Sequence, residues 1–196
     1  MAFVNQEAKE IHCKVVYYGP SLGGKTTNIQ WVYKQTSGQG QSNLMDFPSN
    51  PERTLFFDFL PMNVGKIRDL NTRFHLYTVP GQVIYDASRK LILKGLDGVV
   101  FVADSQLERM DENIEALKNL EKNLEQQGYD IKKVPLVIQY NKRDLPNVAS
   151  IAELRASLNR FNAPDFEANA SIGRGVMETL KTVSKQIITT LKGGEF

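Results

Sequence analysis

The sequence predicts an α/β protein, a three-layer structure in which a mostly parallel sheet is covered by helices on both faces. Three observations carry this. Short apolar runs alternate with longer amphipathic stretches, which is the pattern of strands joined by crossover helices. Two of the runs, GVVFVAD (98–104) and PLVIQYN (135–141), are apolar without alternation, as in strands buried on both faces. The length of 196 residues suits one domain with a well-buried core.

Taken in order, residues 15–19 form a strand that runs into a glycine-rich turn, and 25–36 form the helix after it. Residues 37–51 (SGQGQSNLMDFPSNP) are rich in Ser, Asn, Gly, Gln and Pro and predict a long mobile loop. Long loops inside compact domains usually carry function. Two β-rich runs follow, 54–60 and 73–79, with a turn near Asn63 to Gly65 between them. In the first, Phe56 alternates with Leu55, Phe57 and Phe59, so aromatics lie on both faces: both are buried, or one awaits a partner. After the strand at 98–104, residues 111–127 read as a crossover helix leading to the strand at 135–141. Two more helices, 151–158 and 176–191, have a short strand near 166–170 between them. The right-handed crossover rule places every strand-to-helix loop at one edge of the sheet, where ligands bind.

Composition excludes several classes. Hydrophobic residues make up 41% and charged residues 23%, which is a globular balance. The net charge of +2 is too small to argue for nucleic acid or an anionic membrane as obligate partner. Cys13 is the only cysteine, which rules out an intramolecular disulfide; it reads as a small buried hydrophobe. No apolar run approaches the ~20 residues of a membrane span, and no signal peptide, myristoylation or prenylation pattern is present. The expectation is a single ligand-binding domain over 1–196, with 1–10 as an N-terminal extension and 192–196 as a flexible tail. It is cytoplasmic and lacks a membrane anchor of its own.

Gly19-Pro20-Ser21-Leu22-Gly23-Gly24-Lys25-Thr26 matches the phosphate-loop pattern G-x-x-x-x-G-K-[ST], after a strand and opening a helix. Backbone N–H groups of Gly19, Ser21, Leu22, Gly23 and Gly24 and of the helix start, through Thr27, are candidates to face phosphates. Lys25 adds a point charge for the β and γ phosphates, and the Thr26 hydroxyl is placed to ligate Mg²⁺. Asn141-Lys142-Arg143-Asp144 follows a buried strand at the same sheet edge. The Asp144 carboxylate can accept from guanine N1–H and its 2-amino group, donors that adenine lacks. Lys142 can lay its stem along the purine, and Asn141 can tie this loop to the phosphate loop. Ala170 and Ser171 form a second base contact, with the Ala170 N–H aimed at guanine O6.

The order of phosphate loop, long loop with Thr54, Thr78-Val79-Pro80-Gly81-Gln82, NKRD and Ala170-Ser171 resembles the Ras-like small GTPases, P-loop NTPases, over nearly the whole chain. RTLFFDFLP (53–61), RFHLYTVPGQ (73–82) and VPGQVIYDASRKLIL (79–93) look like the bacterial MglA family, cell-polarity and gliding-motility GTPases. The resemblance implies a switch that cycles between GTP and GDP with Mg²⁺-dependent hydrolysis, slow without an activator. It makes Thr54 the second Mg²⁺ ligand, Gly81 a γ-phosphate contact, Gln82 the residue orienting the attacking water, and Arg53 an arginine finger in cis. It implies a dimeric roadblock-fold activator (MglB-like), polarity or motility effectors, a free monomer, and recruitment to a cell pole. Thr78 stands where Ras-like proteins carry Asp, a substitution that the MglA proteins share. Ser21 stands where both groups have Gly, so a GTP-loaded binding module with negligible hydrolysis stays open beside the hydrolysing switch. A P-loop small-molecule kinase needs an arginine-bearing lid, and no such segment is seen.

Overall fold

The most uniformly buried stretch near the start of the chain becomes the middle of the sheet. The structure is a computed structural model and describes residues 3–36, 59–67, 70–81 and 85–193. Strand β2 (Glu10–Tyr18) pairs in parallel with β4 (Leu70–Thr78) on one edge. Its other edge is shared: β1 (Phe3–Asn5) lies antiparallel to Glu10–His12, and β5 (Gly98–Asp104) lies parallel to Val15–Tyr18. The series continues through β6 (Leu136–Asn141) to β7 (Asp165–Glu167), each parallel to its neighbour. On the far side β3 (Phe59–Ile67) is antiparallel to β4. Among the described residues the sheet has seven strands in the order β3-β4-β2-β5-β6-β7, with β1 beside β2. Five are mutually parallel, as the apolar runs predict.

The two faces hold separate cores because alternate residues of each strand point opposite ways. Val16 and Tyr18, with Val99, Phe101, Ala103, Ile138 and Tyr140, meet α2 (Asp86–Leu93), α3 (Met110–Glu125) and α4 (Ile151–Leu158). Cys13, Val15, Tyr17, Phe74, Leu76, Val100, Val102 and Val137 meet α1 (Lys25–Thr36) and α5 (Val176–Gly193). The buried stripe of α5, Val176, Leu180, Val183 and Ile187, recurs at helical spacing. Each such side chain contributes roughly 1.5–3 kcal/mol on burial. Cys13 is buried among them and its thiol is pushed up to about 12 by desolvation. Helix α4 starts at a reciprocal cap: Glu153 N–H donates to Ser150 Oγ at 3.2 Å, and Ser150 N–H to Glu153 Oε2 at 2.8 Å.

Four expectations need correction. The turn between Asn63 and Gly65 is a β-bulge, because Asn63 pairs with Arg73 and Gly65 with Thr72, leaving residue 64 extra. The β-rich run is expected to end at Leu60, whereas β3 continues to Ile67; residues 54–58, like the loop at 37–51, lie outside the described residues. The segment read as an N-terminal extension includes β1 and the first residue of β2, so it is built into the sheet. Lys192 and Gly193, read as tail, end α5; residues 194–196 lie outside the described residues. Helix α2 was not expected. It forms because Arg89, Ile92 and Leu93 turn one face inward. Among the described residues no helix is long and apolar enough to cross a membrane.

Candidate nucleotide-binding site

Five parallel strands end at one edge of the sheet, and four of them deliver a predicted functional segment there. From β2 comes the phosphate loop; from β4, Val79-Pro80-Gly81; from β6, the NKRD loop; from β7, Asn169-Ala170-Ser171. The fifth, β5, delivers Asp104, which sequence reasoning did not single out.

The phosphate loop is shaped by backbone conformation. Leu22 has φ +61° and Gly24 φ +97°, and Gly23 between them is not left-handed. This alternation curls successive N–H groups round one concavity, the geometry of an anion nest. Leu22 adopts a left-handed conformation without being glycine, at a cost of roughly 1–2 kcal/mol, and its side chain is 62% exposed. Such strain belongs where a ligand needs the backbone. Gly24 cannot be replaced, since a Cβ there would run into Asn141 Nδ2. Lys25, 6% exposed, donates to the carbonyls of Gly19 at 3.1 Å and Pro20 at 2.6 Å. This folds the ammonium back under the loop. Thr26 and Thr27 follow in the first turn of α1, both half-buried. Asn28 anchors that turn: it donates to Gly24 C=O at 2.9 Å and accepts from Gln139 of β6 at 3.0 Å.

Asn141 fastens three loops. Its Nδ2 donates to Gly23 C=O at 2.9 Å, and its Oδ1 accepts from the Ala170 N–H at 2.9 Å. The tie to the phosphate loop is the one the sequence suggests. The Ala170 donor, which the sequence reading aims at guanine O6, is engaged by Asn141, so any O6 contact from it is shared. Ser171 donates through N–H and Oγ to Asn169 Oδ1, at 3.1 and 2.5 Å. Lys142 has φ +65° and sends its ammonium to the fully buried Asp104 carboxylate at 2.7 Å. Arg143 fixes the loop from outside, donating to Glu167 at 3.1 Å and Ala149 C=O at 2.7 Å. Asp144 is left exposed at the mouth.

Asp104 also accepts from the Gln106 N–H at 3.1 Å and faces Arg109 at 3.8 Å. Arg109 in turn donates to the Ser21 carbonyl at 2.8 Å and to Glu112 at 2.7 Å. The phosphate loop, the base loop and the start of α3 therefore share one ionic cluster. Gly81 is packed directly on the phosphate loop, where a Cβ would overlap Ser21 Cα and lie 2.6 Å from its nitrogen. Thr78 is buried at the end of β4. Arg53, Thr54 and Gln82 lie outside the described residues.

The residues fit a nucleoside phosphate: a nest of N–H groups, a buried ammonium at its foot, and a carboxylate across the cleft. Among the described residues no cluster of three or more His, Cys, Asp or Glu could hold a metal ion. A hard cation here relies on hydroxyl and phosphate oxygens, which Thr26 suits.

Comparison with known proteins decides the family. The model of the ADP-ribosylation factor family matches residues 2–187. The chain belongs to this family of small GTPases. It is 59% identical to the mutual gliding-motility protein MglA of Myxococcus xanthus (strain DK1622) over 194 residues, 99% of this chain and 100% of that one. It is 37% identical to human ADP-ribosylation factor-like protein 4A over 126 residues, 61% of this chain and 60% of the other. With ADP-ribosylation factor K of Dictyostelium discoideum it shares 31% over 144 residues, 73% of each. The predicted α/β fold and the predicted relationship to MglA both hold, and this small GTPase binds guanine nucleotides as its family does.

The sequence reading of this small GTPase missed Asp104, Arg109 and Arg89. For Asp104 a signal existed: a carboxylate ending a wholly apolar strand must be paired. Arg89 of α2 is 1% exposed, and a fully buried arginine has no sequence signature. Its Nε donates to Pro80 C=O at 2.8 Å, Nη2 to Gly81 C=O at 2.5 Å, and Nη1 to Asn119 Oδ1 at 2.7 Å. The guanidinium also lies over the Tyr18 ring at 5.6 Å. Tyr18 OH donates to Asn119, and burial raises its phenol to about 12. Asn119 and Asn123 donate to Asp86 at 3.0 and 2.9 Å, holding that carboxyl below its usual range.

Proposed function

We propose that this GTPase is a GTP/GDP switch with Mg²⁺-dependent hydrolysis that governs cell polarity and motility. The observation that carries it is the three-way tie at Asn141. One side chain holds the phosphate loop, the base loop and the Ala170 segment in register, so base and phosphate are read together. The cellular role rests on the 59% identity to a gliding-motility protein.

In this reading Lys25 and the loop N–H groups bind the β and γ phosphates, and Thr26 and Thr54 would hold Mg²⁺. The cation, when bound, neutralises charge on those phosphates. Asp144 accepts from guanine, with Lys142 along the ring. Gly81 offers its N–H to the γ-phosphate, Gln82 orients the attacking water, and Arg53 stabilises the charge that develops on transfer. A roadblock-fold, MglB-like activator speeds hydrolysis, and polarity or motility effectors read the GTP form. The protein is a cytoplasmic monomer when free, recruited to a cell pole through partners.

The reading is tested by identifying the nucleotide that co-purifies with the protein, then following single-turnover hydrolysis with and without a roadblock-type activator. Guanine nucleotide and activator-stimulated turnover are expected; adenine nucleotide overturns the base assignment. One observation favours a second reading, a GTP-loaded module that barely hydrolyses. Gly81 seats on Ser21, so a side chain where the family resemblance implies Gly lies next to the proposed catalytic segment. Ser21→Gly is expected to keep nucleotide affinity and raise turnover. If wild type shows no stimulated hydrolysis and Ser21→Gly does, the second reading replaces the first.

A further inference from the structure

We infer that Arg89 is the positioning residue that sets how far this GTPase discriminates GTP from GDP, by fixing the peptide group that presents the Gly81 N–H. In a trans peptide the C=O and N–H point in opposite directions. The Pro80 carbonyl and the Gly81 N–H belong to one such unit. Arg89 Nε holds that carbonyl on the α2 side at 2.8 Å. The N–H of the same unit is thereby directed away from Arg89. Nη2 holds the Gly81 carbonyl at 2.5 Å, so the next peptide plane is set as well. One planar fork thus orients both planes that flank Gly81, which a lysine ammonium cannot do.

The fork is itself held. Nη1 donates to Asn119 Oδ1, which also accepts from Tyr18 OH. Asn119 is fixed by Asp86, and the Tyr18 ring lies under the guanidinium. Tyr18 is the last residue of β2, directly before the phosphate loop, so the same network positions the loop and the segment facing it. A buried charge held on two backbone carbonyls is costly to place. Orienting the amide beforehand means that the γ-phosphate meets a donor already in place.

The inference rests on the reading of Gly81 as the γ-phosphate contact. The test measures affinities for GDP and for a non-hydrolysable GTP analogue by competition against a fluorescent nucleotide. Proteins compared are wild type, Arg89→Met, Arg89→Lys and Gly81→Ala. Arg89→Met is expected to keep GDP affinity close to wild type and to lose about tenfold or more in affinity for the GTP analogue, the scale of one hydrogen bond to a charged group. Arg89→Lys, which keeps the charge but loses the fork, is expected to lose part of that discrimination, and it decides the matter if Arg89→Met does not fold. Equal loss for both nucleotides marks a structural role and overturns the inference, as does an unchanged ratio of the two affinities. If Gly81→Ala shifts the ratio and the Arg89 variants do not, the Arg89 assignment fails alone. If Gly81→Ala also leaves the ratio unchanged, the reading of Gly81 has failed.

Discussion

Asp144→Asn is expected to weaken GTP and GDP binding by several orders of magnitude and to turn the site toward xanthine nucleotides. Sites built on buried polar matching reject the wrong analogue by roughly 10⁴–10⁵. The new amide presents a donor to the guanine 2-amino group, where the carboxylate presented an acceptor; the 2-oxo group of xanthine accepts from it. The loop survives the change, because Lys142 stays paired with Asp104, and Arg143 stays bonded to Ala149 and Glu167. Competition titrations with GDP, XDP and ADP check this. Retained preference of the variant for GDP, or wild-type binding of ATP as tight as GTP, refutes the role of Asp144.

The second large effect concerns the chemical step. Arg53→Ala is expected to bind GTP nearly as well as wild type and to lose most stimulated turnover, since an arginine finger contributes roughly 10³–10⁵ in rate. Gln82→Ala should behave alike, because in the proposed reading both residues act on the transition state and not on the bound nucleotide. Single-turnover hydrolysis with an activator present reads both. If Arg53→Ala hydrolyses like wild type, the finger in cis is abandoned for an arginine from the activator.

What was legible in the sequence follows the range of the interaction. Strands β5 and β6 announce themselves because burial on both faces leaves no polar alternation. The phosphate and base loops are legible because each motif lies within a few consecutive residues. Helix α2 escaped notice because it has eight residues and its N-cap, Tyr85, offers no side-chain cap. The Asn-Val-Gly stretch reads locally as a turn, and only the ladder with β4 makes it a bulge. Arg109 and Ser21 are 88 residues apart, and no pattern along the chain joins them. The same holds for Arg89 and Asn119, 30 residues apart on different helices. The loops are written locally; the ties that join them to the rest are written in the tertiary fold.

Cys13, buried in the central strand, makes the wild-type protein its own reporter of opening. A thiol with no exposure and its ionisation pushed up to about 12 does not react with an electrophile in the native state. Modification waits until the strands beside β2 part, so the labelling rate follows the population of that opened form. A nucleotide that binds only the closed protein lowers that population in proportion to its occupancy. The labelling half-life measured against GTP or GDP concentration thus yields an affinity for the unmodified chain. The same background leaves any cysteine introduced at the surface as the site that takes a dye.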